Sequence, residues 1–155
     1  MTTNLSLNIK RELYQLCVAD IQTRLNTIKA TIFELDQALL SETKSSAGDK
    51  HETGRAMIQL ERENVGRQLA EVEKTQHILS KIDVNRTNQT IGLGSVVITD
   101  RMNYFLAISL GEIRLEHTEY YAISPHAPIG RLLMGKTTGD TIAFREQHFE
   151  IRAVL

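Results

Sequence analysis

The chain has 155 residues, 41% of them apolar, 24% charged and only 5% aromatic with no Trp, which fits one or two small globular domains with an aliphatic core and excludes a disordered chain. Eleven basic and 12 acidic side chains fall in residues 1–84 and seven of each in residues 85–155. With no basic excess in either half, autonomous DNA binding is not expected, and a protein partner is the better expectation.

Met1 to Leu13 carries Asn and Ser where a secretory signal needs an apolar run, and no later stretch is apolar enough to span a bilayer. The expected location is therefore cytoplasmic, with no membrane partner. Ile21, Leu25, Ile28, Ile32, Leu35 and Leu39 then recur at spacings of 4, 3, 4, 3 and 4, one apolar stripe on a helix, and Val18 and Tyr14 continue it backward. Cys17, the single cysteine, excludes an internal disulfide and a multi-cysteine zinc site and reads as a packing residue. Ser41 to Glu52 is small and polar and reads as a turn. Ile58, Val65, Leu69, Val72 and Leu79 form a second stripe, with the polar Gln76 in its last gap. Gly66 inside it costs roughly 1 kcal/mol against Ala, which marks a bend or a close approach.

The spacing predicts helices near 9–41 and 52–82, joined by a tip loop over 42–52. Short-looped helices with matching stripes pack antiparallel, so residues 1–84 are expected to form a two-helix coiled-coil hairpin, roughly 45 to 50 Å long at ~1.5 Å per residue.

After Asp83 the helical period stops, and residues 85–90 read as a linker. Downstream the runs are short and β-branched or aromatic: Ser95–Thr99, Tyr104–Ser109, Tyr120–Ser124, Thr141–Phe144 and His148–Val154, separated by turn residues such as Met102-Asn103 and Gly111. Ala127 to Gly135 differs, with Pro128 suited to a first helical turn and Gly135 to a stop. Residues 91–155 are therefore expected to form a small sheet with one short helix, and the fold class is α+β.

Asp49 and Glu52, spaced i, i+3 at the expected tip, admit two readings. Asp-x-x-Glu ahead of a helix is a capping box, with Asp49 as N-cap and Glu52 reaching back to its N–H. Two carboxylates are also hard-oxygen ligands for a cation such as Mg²⁺, which takes one or two carboxylates and completes its shell with water and phosphate. A pair alone is a partial site, so the second reading requires a site donated by something else.

Pro128-Ile129-x-Arg131-x-Leu133-x-Gly135-Lys136-x-x-Gly139-Asp140, preceded by Ile123-Ser124, resembles the S-P-I-A-R-A-L-I-G-K-x-x-G-D segment of bacterial Gre-type transcript-cleavage factors. Gly48-Asp49-Lys50-His51-Glu52 resembles that family's tip G-D-L-K-E, and the hairpin-then-sheet order resembles its coiled coil followed by an FKBP-like domain. The resemblance implies that the hairpin enters the secondary channel of RNA polymerase. Asp49 and Glu52 would there be donated in trans to the polymerase site, helping to hold its second Mg²⁺, while the polymerase itself hydrolyses backtracked RNA. The chain would then be an accessory factor and not an enzyme, with Mg²⁺ supplied by the polymerase and RNA contacted only at its 3′ end within the elongation complex. His126, Ala127, Pro128 and Ile129 would dock on the polymerase. The chain departs from the family at Thr53 and Ala56, where Asn and an aromatic are usual, and at His126 and Ala127, where an acid or amide and then Ser are common. The alternatives are a channel binder that modulates or inhibits polymerase without cleavage, and a coiled-coil adaptor whose acids only cap a helix.

The five His have no close ligand spacing and read as solvated or hydrogen-bonded. Lys44, Lys50 and Arg55 near the tip read as solvated, with RNA phosphate as the alternative. Tyr120, Tyr121, Phe144 and Phe149 read as core strand positions, with the cleft of an FKBP-like prolyl isomerase as the alternative.

Overall fold

The computed structural model describes residues 2–44 and 49–155, with side chains from 5 to 42 and from 52 to 155. Its elements are α1 (Thr2–Lys44), α2 (Asp49–Ser80), β1 (Val96–Thr99), β2 (Asn103–Leu106), β3 (Gly111–Leu115), β4 (Thr118–Ile123), α3 (Pro128–Leu133), β5 (Thr141–Phe144) and β6 (Gln147–Val154). The class is α+β, an N-terminal helical hairpin followed by a mixed six-stranded sheet. Two compact units divide the chain: Asp20–Gln76 forms one, and Met1–Ala19 with His77–Leu155 forms the other.

In the Asp20–Gln76 unit the apolar period becomes the packed face of the helices. Ile21, Leu25 and Val65 are buried, and Ile28, Ile32, Leu35, Leu39, Ile58, Leu69 and Val72 are half-buried. Arg62 and Thr75 occupy the stripe positions that no apolar residue fills, and Gln76 is exposed. Arg62 Nε lies 3.1 Å from Asp36 Oδ1, and a Cβ at Gly54 would lie 3.7 Å from Glu42 Oε1. Positions 36 and 62, and 42 and 54, therefore face each other, which makes the pairing antiparallel. Gly66 does not break α2. A Cβ there would lie 3.3 Å from Arg62 Nη1, so the missing side chain leaves room for the guanidinium that reaches Asp36.

Helix extends further into the expected tip loop than the composition suggests, since α1 runs to Lys44 and α2 begins at Asp49. Upstream, the stripe does not continue through Val18 and Tyr14. Val18 is 41% exposed and Tyr14 half-buried, whereas Lys10, Leu13, Cys17 and Ile21 are buried. This part of α1 belongs to the sheet-containing unit, and the neighbours it meets there select a different face. Cys17 is fully buried, as its packing role requires.

The sheet of the second unit has the order β3-β4-β2-β1-β6-β5. The β2–β4 pair is parallel and the other pairs are antiparallel. Strand alternation divides the apolar residues between two faces. Val97, Tyr104, Leu106, Ile142, Phe149 and Ile151 pack with Ile129 and Leu133 of α3 and with Ile91. Val96, Phe105, Tyr120 and Ala122 point the other way and are also buried. Glu12 of α1 lies close enough to Tyr120 to reinforce the rise in its phenol pKa, whose largest cause is burial, followed by the charge of Glu116. β3 is absent from the sequence expectation. It pairs with β4 across a tight turn in which Glu116 has φ 54°, and as an edge strand it buries only Ile113, too little apolar signal to announce a strand.

Candidate functional site

α2 begins at Asp49, so Asp49 and Glu52 fall on its first turn, where residues three apart share a face. The side chain of Asp49 lies outside the described residues, and with it the capping contact and the shared cation site expected of the pair. Glu52 is exposed. The field of a helix N-terminus favours carboxylates here in either role. The fold also brings Glu42 of α1 against α2 at Gly54. In the sequence this acid is hidden within the expected loop, with the small Gly54 as its one signal, and the antiparallel register places it. Thr53 and Ala56 are exposed, so position 56 presents a methyl group to solvent.

In the other unit, the segment before α3 is built around Ser124. Its Oγ accepts the His126 N–H at 3.1 Å, and its carbonyl accepts the Ala127 N–H at 3.0 Å. Ala127 is the N-cap of α3 and supplies no side-chain cap, while Pro128 holds a first-turn position where the missing N–H costs no intrahelical bond. His126 and Pro128 are exposed, Ala127 is half-buried, and Ile129 is 9% exposed within the core cluster. Ile129 thus anchors the segment from beneath while its three predecessors form the accessible part. A Cβ on Gly130 would run into the Ser124 carbonyl oxygen, so the segment lies closer to α3 than any residue but glycine permits.

The Gly135-to-Asp140 string is turn chemistry. Gly135 and Gly139 have φ of 81° and 95°, conformations that favour glycine, and their N–H groups donate to Ile91 and Ile151 carbonyls at 2.9 and 2.8 Å. Asp140 Oδ2 accepts the Thr137 N–H at 2.9 Å, and the Thr137 hydroxyl donates to the Gln89 carbonyl at 3.0 Å. These residues close the α3–β5 turn and fasten the segment before β1 to it.

The aromatic residues divide. Phe144 and Phe149 join Tyr104 and Met102 in lining a cavity of about 280 Å³, with Arg101, Arg145 and Gln147 as its polar residues. Tyr121 lies beside it, its ring centroid 6.5 Å from that of Tyr104, and Tyr120 is buried on the opposite face of the sheet. Burial raises the Tyr104 phenol pKa, with Tyr121 adding to the rise, so the hydroxyl stays a hydrogen-bond donor at neutral pH. A buried amine stands elsewhere in the unit. Lys10 Nζ donates to the Arg86 carbonyl at 2.5 Å, and burial lowers its pKa against the opposing charge of Asp83.

Among the described residues no three His, Cys, Asp or Glu side chains gather as metal ligands, and no helix is long and apolar enough to cross a membrane. No family model matches the chain, and no curated protein matches it.

Proposed function

We propose that the chain is an RNA polymerase secondary-channel factor of the Gre type, which stimulates the polymerase to cleave backtracked RNA. The observation that carries this reading is the start of α2 at Asp49, which sets Asp49 and Glu52 on one face of the first turn where the hairpin reverses. In this reading the hairpin is a coiled coil, the sheet unit is FKBP-like, and the chain acts in the cytoplasm as an accessory factor and not as an enzyme. The donor set fits Mg²⁺ as a partial shell, two hard carboxylate oxygens with the rest left to water and phosphate. Such an ion, carried by the polymerase, lowers the pKa of water at the scissile phosphodiester. The chain's own part is to bring Asp49 and Glu52 to it, held by a helix that faces α1 through its apolar stripe and through pairs such as Asp36 and Arg62. His126, Ala127 and Pro128 dock on the polymerase, with Ile129 fixing them to the core. RNA is met only at its 3′ end inside the elongation complex, which suits a chain whose basic and acidic residues balance.

The exposed methyl group of Ala56 favours a second reading, a factor that occupies the channel without stimulating cleavage, because it offers the RNA end no ring to stack on. Adding the purified protein to a stalled, backtracked elongation complex tests both. Faster release of a 3′ RNA fragment is expected. Binding without release selects the second reading, and absence of binding removes both.

A further inference from the structure

The cavity lined by Phe144, Phe149 and Tyr104 is independent of the hairpin and of the loop at His126 to Ile129. It opens at the end of the sheet that carries the β1–β2 and β5–β6 turns, whereas that loop follows the opposite end, since β4 runs parallel to β2. Its floor is apolar and aromatic, and its volume of about 280 Å³ lies at the small end of ligand pockets.

The polar side of the cavity is cationic and contains no acid. Arg101 and Arg145 both line it, and neither guanidinium pairs with a carboxylate among the described residues. The Arg145 guanidinium carbon stands 5.0 Å from the Phe144 ring centroid, held over the ring face instead of by a counter-ion. Of the neighbouring acids, Asp100 spends Oδ1 on the Glu150 N–H at 2.9 Å, and Glu146 does not line the cavity. Among the described residues the Tyr104 hydroxyl meets only the Met102 sulfur, at 3.7 Å, and a thioether is a weak acceptor. Two unpaired guanidiniums and a donor short of an acceptor thus border an aromatic floor.

We propose that this pocket binds a small carboxylic acid carried on a single apolar ring, the ring against Phe144 and Phe149 and the carboxylate among Arg101, Arg145 and Tyr104. A carboxylate supplies what each of these donors lacks, and charge-assisted hydrogen bonds of this kind are the strong ones. A neutral ring would gain the floor alone. The proposal does not rest on the polymerase reading, and neither would fall with the other.

The test is titration of phenylpropanoate into the isotope-labelled full chain, followed by amide chemical shifts. Saturable shifts centred on Arg101, Tyr104, Arg145 and Phe149 are expected. Phenylpropanamide, which keeps the ring and loses the charge, should bind about tenfold or more weakly, as should the acid to Arg101→Gln. Arg101 is exposed at a turn, so its replacement leaves the fold intact, and Arg145→Gln provides a second variant with the same expectation. An acetylated peptide ending in Phe with a free carboxylate separates the sources. Tighter binding than phenylpropanoate assigns the site to a chain terminus, and weaker binding assigns it to a free acid. Equal affinity for acid and amide, unchanged affinity in both Arg variants, or no saturable shift from either acid overturns the proposal.

Discussion

Arg62 of α2 reaches across the hairpin to Asp36 of α1, Nε to Oδ1 at 3.1 Å, from a stripe position that would otherwise hold an apolar residue. The Arg62 side chain lays its aliphatic stem at the stripe position and pairs its head across the two helices, which marks their antiparallel register.

Both partners are substantially exposed, so the ion pair itself contributes little. Asp36→Asn should lower stability by less than ~1 kcal/mol, and the loss should shrink at high salt. Urea unfolding at low and high salt checks this.

Two glycines predict opposite outcomes from the same substitution. Gly54 sits in α2 with its nearest neighbour, a Glu42 side-chain oxygen, at ordinary contact distance, so Gly54→Ala should stabilise the chain by up to ~1 kcal/mol through helix propensity. Gly130 faces the Ser124 carbonyl with no room for a methyl group, so Gly130→Ala should cost ~1–3 kcal/mol by forcing the backbone apart. Thermal unfolding of the two variants should move the midpoint in opposite directions.

Lys10 gives a pH dependence. Its pKa is lowered in the fold, chiefly by burial, so above that value the unfolded chain binds a proton that the folded chain has lost. Stability gains from this group as pH rises through the folded pKa toward the ordinary lysine value, and below the folded pKa its buried charge is a cost. Lys10→Met lacks this dependence, so its urea midpoint relative to wild type should be most favourable at neutral pH and should fall steadily as the medium becomes alkaline.

The proposed docking role predicts an effect on binding without one on folding. Pro128 is exposed at the first turn of α3, and Asn there restores an N–H that the helix does not need to pair. Pro128→Asn should change stability by less than ~1 kcal/mol yet weaken polymerase binding about tenfold or more, measured by competition with wild type. Equal competition would place the docking surface elsewhere.

The hairpin was legible because a 3–4 apolar period survives only on a helix with one packed face, and Ile21, Leu25 and Val65 are buried where the spacing places them. The period misled at Val18 and Tyr14, where α1 enters the other unit and Leu13 and Cys17 turn inward. β3 was illegible because an edge strand with one inward residue carries almost no apolar signal. Of the site, the spacing of Asp49 and Glu52 could be read directly from the chain. Glu42 beside Gly54, and the placing of Arg101 and Arg145 around one cavity, depend on pairings between distant segments that no local pattern encodes.

The central claim is that Asp49 and Glu52 are delivered to the polymerase and do more than cap a helix. Amides keep the hydrogen-bonding capacity a cap needs while removing the charge a cation needs. The most direct measurement is therefore RNA cleavage in a stalled, backtracked elongation complex with Asp49→Asn/Glu52→Gln, alongside polymerase binding by the same variant. His126 to Ile129 belong to a different compact unit from the two acids, so binding should be retained. The account predicts near-wild-type binding with no stimulated release of the 3′ fragment; cleavage at the wild-type rate by the double variant would contradict it and leave the two carboxylates as a helix cap.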